Sequence, residues 1–356
     1  MKKISHIYWF APYSLDCPST RYRGKIPLEL AQENQALSYD FILPERSLQG
    51  AWQLLKMVIS LLFFRKKNSL LVIQKVCSNR IYANILKLLV WWNPKNTLYD
   101  LDDAEYIRQA PDSLHFFLQH CQAVQVGSQA LKEYCQQFNS TVYIATSPVY
   151  QHAYHKTQKN DKLHIGWVGD VGNGQHLSRN FAHKRSLFEI LFPSLVALSF
   201  PIKLSIVGVK NQEDLPQIRA FFEQCSHVEL DIPLNLNWKK DNWLYEKICQ
   251  FDVGVSPLVH HPFNEAKSAF KAKQYLSCGV PVIASDVGEN KTFIHHQSNG
   301  FLASSKEDFA QFLQQIKDMQ AVQYTSYIEN ALQTYDSFSM KHYSQLLLEV
   351  ENKAFV

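Results

Sequence analysis

Two lysines near the end of the chain are well placed to bind an anion. Lys267 and Lys271 are four residues apart in AKSAFKAKQY, soon after an apolar run that ends at Pro257. If a helix begins at 266–268, both ammonium groups lie on one face of its first turns. The positive end of the helix dipole lies there too, so two cations are unfavourable unless an anion accompanies them. A bound phosphate would resolve this conflict, and two solvated lysines on an exposed turn are the alternative.

Two charged clusters in the first half also follow apolar runs. CPSTRYRGKIP contains Arg21 and Arg23, whose planar guanidinium groups suit phosphate or carboxylate. TLYDLDDAEY contains Asp100, Asp102 and Asp103. An Asp-x-Asp pair can bind a divalent metal, and carboxylates can equally orient an acceptor or stabilise positive charge at a reacting carbon. Surface arginines and a helix-capping aspartate are the structural alternatives.

Short apolar runs alternate with longer helical patterns along both halves of the chain. The predicted strands are 6–12, 39–43, 70–75, 97–100, 123–127, 141–145, 163–169, 202–208, 227–232, 251–257 and 280–285. Helical patterns lie between them, and two more follow at the end of the chain. Strand–helix–strand alternation predicts an α/β fold with parallel sheets that are covered on both faces.

The alternation occurs twice, which predicts two doubly wound, Rossmann-like domains. Residues 1–150 form the first and 160–335 the second, with a polar linker near 148–162. Residues 336–356 form a last helix that is expected to pack back on the first domain. Ligands of such sheets bind outside the carboxyl ends of the strands, where the charged clusters lie.

Composition argues against several classes of protein. The net charge of +4, with no dense block of Lys and Arg, does not favour nucleic-acid binding. Seven cysteines without a C-x-x-C pair indicate reduced thiols in a cytosolic protein and no zinc site. The first apolar run is too short for a signal peptide, and no run approaches the length of a spanning helix.

The segment 251–303 resembles a known family. FDVGVSPL, AKSAFKAKQYLSCGVPVIASDVGEN and SNGFLA keep the spacing of a branch of family four glycosyltransferases, also called glycosyl transferases group 1, with the block KSxFKxxQYxxxGxPVxAS. LHIGWVG, KLSIVG, S-x-RYR and YDxDDA are similar to further blocks of this branch. The resemblance implies a GT-B fold, in which an acceptor-side domain and a nucleotide-sugar-binding domain face each other across a cleft.

The resemblance also implies a donor site in the second domain. The implied donor-binding residues are Gly169, Lys184, Arg185, Lys267, Ser268, Lys271, Gln274, Glu289 and Asn290. Lys184 is preferred to Arg179 as the cation that the family supplies after its first C-domain strand. Trp238 and Trp243 either stack on the nucleobase or pack in the core.

The chain departs from the family at the Glu-x7-Glu motif. Gln274 stands where the ribose-binding glutamate is expected, and Ala266 where the first glutamate is expected, with Glu265 one residue early. A neutral amide is a weaker hydrogen-bond acceptor than a carboxylate. The two alternatives to a transferase are therefore a GT-B nucleotide-sugar epimerase and a non-catalytic nucleotide-sugar-binding homologue.

Arg21, Arg23, Asp102 and Asp103 are the predicted catalytic residues. The resemblance implies a retaining, metal-independent hexosyltransferase without a cofactor. It would move a sugar from a nucleotide-diphosphate sugar to a glycan or lipid-linked acceptor, in surface polysaccharide or glycoconjugate synthesis.

Two segments are apolar almost all round. Residues 51–67 end in three cations, and 85–92 have the same apolar character. Such helices either pack against a sheet, which is the default, or lie in a bilayer interface near anionic lipids. We therefore expect a cytoplasmic protein and leave open a peripheral position on the cytoplasmic face of the inner membrane.

Overall fold

The computed structural model describes residues 4–34, 37–44, 47–75, 80–108, 112–150, 152–171, 182–210, 213–237 and 241–354. The chain divides into two compact units. The first comprises Met1–Tyr150, Ala266–Ser268 and Phe338–Val356, and the second comprises Gln151–Glu265 and Ala269–Ser337. Each unit contains one six-stranded parallel sheet.

The sheet of the first unit has the strand order β2-β1-β3-β4-β5-β6. Its strands are β1 His6–Phe10, β2 Ser38–Ile42, β3 Ser69–Gln74, β4 Thr97–Leu101, β5 Ala123–Val126 and β6 Val142–Ile144. Strands β1, β3 and β4 are buried along their whole length, as expected for the centre of a parallel sheet covered on both faces.

Helices cover the two faces of this sheet. They are α1 Ile26–Asn34, α2 Leu48–Phe63, α3 Arg80–Trp92, α4 Glu105–Arg108, α5 Asp112–His120, α6 Gln129–Cys135 and the last helix, α16 Met340–Ala354. Right-handed crossovers put α2, α3 and α5 on one face, because these connections all run in the same direction across the sheet. Helices α1 and α16 pack together, and α1 continues a π-helical turn at Thr20–Lys25.

The sheet of the second unit has the order β12-β11-β10-β7-β8-β9. Its strands are β7 Leu163–Val168, β8 Ile202–Val207, β9 Val228–Asp231, β10 Val253–Ser256, β11 Val282–Ser285 and β12 Gly300–Ala303. Its helices are α7 His183–Ser186, α8 Phe192–Val196, α9 Asp214–Phe222, α10 Asp241–Ile248, α11 Pro262–Glu265, α12 Phe270–Ser277, α13 Asn290–Phe293, α14 Lys306–Asp318 and α15 Ala321–Thr334.

The predicted α/β class with two doubly wound sheets is confirmed. All eleven predicted strands occur within two residues of their expected bounds. The sequence prediction missed β12, whose four residues follow a turn and lie at the edge of the sheet, where the apolar signal is short.

A chain of polar side chains links three adjacent strands, β7, β8 and β9, in the second unit. The Ser205 hydroxyl donates to Asp231 Oδ2 at 2.7 Å and accepts from His164 Nε2 at 2.7 Å. In this arrangement His164 is neutral, with its proton on Nε2. Burial, followed by the nearby Lys203, lowers the pKa of His164 to about 4.

We predict that the protein loses stability as the pH falls from about 6.5 to about 4, the unfolded and folded pKa values of His164. The folded state holds this imidazole neutral. Its contribution to the free energy of unfolding is therefore complete above the pKa of the unfolded state, and it is lost as the pH falls to the pKa of the folded state. The expected decrease in the free energy of unfolding is about 1–3 kcal/mol. Urea titrations across this pH range measure it. His164→Gln, which cannot titrate, should show a shallower decline, and identical slopes would contradict the assignment.

Candidate functional site

The carboxyl edge of the second sheet depends on a close approach of two strand ends. Gly208, which follows β8, has φ +134°, and a Cβ atom there would lie 1.4 Å from the carbonyl oxygen of Gly169. A side chain at 208 is therefore incompatible with this packing. Gly169 follows β7, and its N–H donates to Val207 at 2.9 Å. The ends of the two strands are thus held together by backbone contact.

Helix α12 is fixed against this edge by Tyr275. The tyrosine ring lies over Gly254 of β10, where a Cβ atom would come within 2.2 Å of it. Its hydroxyl accepts a hydrogen bond from the N–H of Val168 at 2.8 Å. One side chain thus links α12 to both central strands, which directs the first turn of α12 towards the end of β7.

The first turn of α12 brings Lys271 to Gly169. A Cβ atom on Gly169 would lie 2.7 Å from Lys271 Cε, so the lysine stem crosses the glycine closely. Lys271 Nζ is 2.9 Å from His183 Nε2 and 5.7 Å from the centre of the Trp167 ring. Since an ammonium group can only donate, His183 Nε2 accepts here and is unprotonated. The structure therefore places two predicted donor-site residues, Gly169 and Lys271, next to each other. It adds Trp167 and His183, which the sequence prediction missed.

The predicted helix start at 266–268 is wrong. Helix α12 begins at Phe270, and its N-cap residue Ala269 adopts a left-handed conformation with φ 52° and ψ 33°. Lys267 therefore precedes the helix and does not share a helical face with Lys271. The sequence concealed this break because alanine usually favours helix and rarely adopts the left-handed conformation. Lys267 and Ser268 belong to a short segment that groups with the first unit.

The predicted cations after β7 are engaged with carboxylates. Lys184 Nζ lies 2.6 Å from Asp214 Oδ1, and both side chains are buried. Asp214 therefore neutralises this ammonium, and the role of Lys184 as a donor-site cation stays a prediction. Arg185 forms an exposed pair with Glu189 at 2.6 Å, one helical turn away. Arg179, the alternative to Lys184, lies outside the described residues.

The loops after β10 and β11 are linked by a carboxylate. Glu265 Oε2 accepts from the N–H of Gly288 at 2.8 Å, and Gly288 has φ +56°, which favours glycine. Asn290 donates to Ser285 O at 3.0 Å, while its buried Oδ1 has no hydrogen-bond partner among the described residues. Glu265 therefore positions the turn that leads to Glu289 and Asn290. In the sequence, Glu265 stands one residue before the position of the first glutamate of the Glu-x7-Glu motif. This near-match was the signal from which its role could have been found.

The remaining predicted donor residues lie in or near these elements. Gln274 is buried on α12, and Glu289 is buried at the N-cap position of α13. Trp243 is half-buried on α10, and Trp238 is outside the described residues.

In the first unit, Arg23 and Asp100 form a fully buried ion pair. Arg23 Nε donates to Asp100 Oδ2 at 3.0 Å, and its Nη1 donates to Ala145 O at 2.8 Å. Burial opposes the charge, but the Asp100 carboxylate outweighs it and raises the pKa of Arg23. Gln125 donates to both Asp100 and the Tyr343 hydroxyl, which connects α16 to this network. Arg23 therefore joins strand ends and is fully buried, and its catalytic role stays a prediction.

Lys75 brings Asp102 and Asp103 together. It directly follows β3, adopts φ 55°, and places its ammonium 2.6 Å from Asp102 Oδ1 and 2.9 Å from Asp103 Oδ2. Burial lowers the pKa of Lys75, but Asp103 and Glu105 more than compensate, so the pKa is raised overall. The sequence prediction missed Lys75, although a cation directly after the apolar strand LLVIQ was a usable signal.

Two further observations concern ligands of the first unit. Arg21 is half-exposed in the π-helical turn, and its Nε has no hydrogen-bond partner among the described residues. Within the described ranges, no group of three or more His, Cys, Asp or Glu side chains is arranged to hold a metal ion.

The Arg23–Asp100 pair predicts a large effect on stability. Arg23→Met should lower the free energy of unfolding by about 3–5 kcal/mol, because it leaves a buried carboxylate without its counter-charge. Arg185→Met, which breaks an exposed pair, should cost less than about 1 kcal/mol. Chemical denaturation of the two variants compares them directly, and equal effects would show that the buried pair is not structural.

Comparison with known proteins adds to this geometry. Residues 174–320 match the family model described as "Glycosyl transferases group 1". The chain is 26% identical over 200 residues to a GDP-Man:Man(3)GlcNAc(2)-PP-Dol alpha-1,2-mannosyltransferase of Dictyostelium discoideum; the match covers 54% of the chain and 37% of that protein. The chain thus spans little more than a third of the length of this curated relative. Both matches support a relationship to group 1 glycosyl transferases.

Solved structures share the fold. The chain superposes on sucrose-phosphate synthase from Thermosynechococcus elongatus with a TM-score of 0.68 and 13% identity, covering 99% of each chain. It superposes on Anabaena HepE in complex with UDP with a TM-score of 0.63 and 13% identity, covering 98% of this chain and 100% of that one. At this identity the likeness concerns the fold, which is the GT-B fold.

Proposed function

We propose that the protein is a glycosyltransferase that uses a nucleotide-diphosphate sugar. The observation that carries the proposal is Lys271, held over Gly169 at the carboxyl edge of the second sheet, within the segment that matches group 1 glycosyl transferases. Ligands of open parallel sheets bind at this edge. A cation and the first backbone N–H groups of a helix offer the contacts that a diphosphate needs.

Lys271 contributes most as the bond to the sugar breaks. The leaving nucleoside diphosphate then gains negative charge, and a fixed ammonium stabilises that charge more than it stabilises the bound donor. Its contacts with Trp167 and His183 limit the motion of a long, flexible side chain. This positioning reduces the entropy that is lost when the lysine binds phosphate.

The rest of the donor is assigned to nearby polar groups. Gln274 would accept a hydrogen bond from a ribose hydroxyl, and Glu289 and Asn290 would accept from hydroxyl groups of the transferred sugar. The unpartnered Oδ1 of Asn290 supports this assignment, because a buried acceptor without a partner costs free energy unless a ligand or a water donates to it. Lys267 and Ser268 remain proposed contacts, and Arg185 remains a proposed diphosphate contact.

We propose that transfer proceeds with retention. The bond from the anomeric carbon to the phosphate oxygen breaks, and the acceptor oxygen bonds to the same face of that carbon. The acceptor's proton passes to the departing phosphate oxygen, so no separate protein base is needed. Arg21, Asp102 and Asp103 in the first unit are the proposed acceptor-side residues, whereas Arg23 would act only by positioning them.

The acceptor is proposed to be a glycan or a lipid-linked sugar in surface polysaccharide or glycoconjugate synthesis. The name of the Dictyostelium relative supports this class, since it describes a lipid-linked glycan as that protein's acceptor. The UDP complex of Anabaena HepE makes UDP-sugars the first donors to test, followed by GDP-mannose.

Nucleotide binding can be tested first by thermal shift with UDP, GDP, dTDP and CMP. We expect one diphosphate to raise the melting temperature, since a ligand that binds only the folded state stabilises it. Lys271→Met should abolish the shift and lower turnover about a hundredfold or more. Lys306→Met, an exposed lysine on α14, is the matched control and should behave as wild type. A full response in Lys271→Met would remove this lysine from the site.

Product analysis then separates the alternatives. A transferase gives a glycosylated acceptor and free nucleoside diphosphate, whereas an epimerase converts the nucleotide sugar without an acceptor. A non-catalytic homologue binds the nucleotide and forms neither product, so mass spectrometry of donor mixtures with and without acceptor distinguishes all three outcomes.

We predict that a metal chelator leaves turnover unchanged. The Lys75 ammonium lies between the two carboxylates of the Asp102–Asp103 pair and supplies the positive charge that a divalent ion would otherwise bring. Activity measured with EDTA, and again with added Mg²⁺ or Mn²⁺, tests this. A loss of activity with EDTA that either metal restores would contradict the prediction.

A further inference from the structure

Two neighbouring helices of the first unit expose about half of their large apolar side chains. The exposed set on α2, α3 and the residue after α2 comprises Leu48, Trp52, Leu55, Ile59, Phe63, Phe64, Ile81, Leu88, Trp91 and Trp92. Large exposed apolar surfaces on folded proteins mark interaction sites, whereas scattered single residues do not. These residues define what we call the apolar face.

The side chains of α2 form a continuous stripe. Residues 48, 52, 55, 59 and 63 recur at intervals of three and four, so they lie along one side of the helix. The helix buries only Gly50, Val58 and Leu61 of its sixteen residues. Core packing, the default interpretation of this segment, therefore accounts for only a small part of its apolar character.

The stripe on α2 continues onto α3, which packs beside it. Arg65, just after α2, donates to Asn96 O at 2.9 Å, just after the end of α3. This bond holds the two C-terminal ends close together. Phe63, Phe64, Trp91 and Trp92 are the exposed aromatic side chains at these two ends.

The charged residues of the segment that carries the apolar face are all cationic. Residues 46–99 contain nine Lys and Arg and no Asp or Glu, although the whole chain has a net charge of only +4. The remainder of the chain is therefore net negative. Lys56 is exposed beside Trp52, with its Nζ 5.5 Å from the indole ring, and Lys67 is exposed beyond the end of α2.

We infer that the apolar face is a membrane-docking surface, which lies on the headgroup region of a bilayer rich in anionic lipid. Helices with an apolar stripe, flanking tryptophans and exposed lysines lie in the plane of such an interface. Each lysine near the surface adds attraction to anionic lipid, and no carboxylate within the segment opposes it. No helix in the described residues has both the length and the apolar character needed to cross a bilayer, so docking would be peripheral.

Charge complementarity favours lipid over a second copy of the chain. In a two-fold dimer the same surface patch faces itself, so exposed cations such as Lys56 and Lys67 would face the same cations of the partner. An anionic bilayer supplies the opposite charge and an apolar layer at the same time. The inference does not depend on the proposed glycosyl transfer.

Vesicle flotation tests the inference with the full chain. Phosphatidylcholine vesicles are compared with vesicles that also contain phosphatidylglycerol, at low and high salt. The apolar variant is Ile59→Gln with Phe63→Gln, and the charge variant is Lys56→Glu with Lys67→Glu. Their matched controls are Leu234→Gln with Val322→Gln, both exposed in the second unit, and Lys210→Glu with Lys306→Glu. Circular dichroism establishes that each variant is folded.

We expect the wild type and both controls to float with phosphatidylglycerol vesicles and to be released by high salt. Both test variants should bind at least about tenfold more weakly, since charge reversal and loss of apolar contact act on separate contributions. Absence of flotation for the folded wild type, or equal binding by the test variants and controls, would overturn the inference. So would a dimer, detected by light scattering without vesicles, that only the apolar variant dissociates.

Discussion

The geometry of the candidate donor site depends on the absence of side chains at two strand ends. Gly208 lies so close to the carbonyl of Gly169 that no Cβ atom fits between them, and Gly169 in turn leaves room for the stem of Lys271. A larger residue at either position would separate the strand ends or displace the lysine. The backbone, rather than any catalytic side chain, therefore determines where a cation can lie at this edge of the sheet.

The cations at the carboxyl edges of the two sheets lie in two different environments. Arg23 and Lys184 are buried against carboxylates, where removing one partner leaves an uncompensated charge in a medium of low dielectric constant. Lys271, in contrast, contacts the His183 imidazole and lies over the ring of Trp167. The first group holds loops in place at the carboxyl edges of the two sheets, and the second is suited to meet a charged ligand.

The sequence predicts the strands, but it does not distinguish cations that are paired with carboxylates from cations that are suited to bind a ligand. Alternating apolar runs identified eleven of the twelve strands, since burial on both faces leaves a strong local signal. Whether Lys184 is solvated or paired depends on Asp214, thirty residues away, and Arg23 meets Asp100 across 77 residues. Local patterns carry no information about such partners. Likewise, the left-handed turn at Ala269 has no sequence signal, because alanine normally favours a helix at that position.

The two proposals meet in the first unit. Its carboxyl edge gathers Asp102, Asp103 and Lys75, while α2 and α3 on one face of the same sheet expose apolar and cationic side chains. A water-soluble acceptor would gain nothing from such a face. A lipid-linked acceptor is confined to the bilayer, so an enzyme docked there meets it in two dimensions, at a high effective concentration. Within the proposed function, the exposed helices therefore favour a lipid-linked acceptor over a water-soluble one.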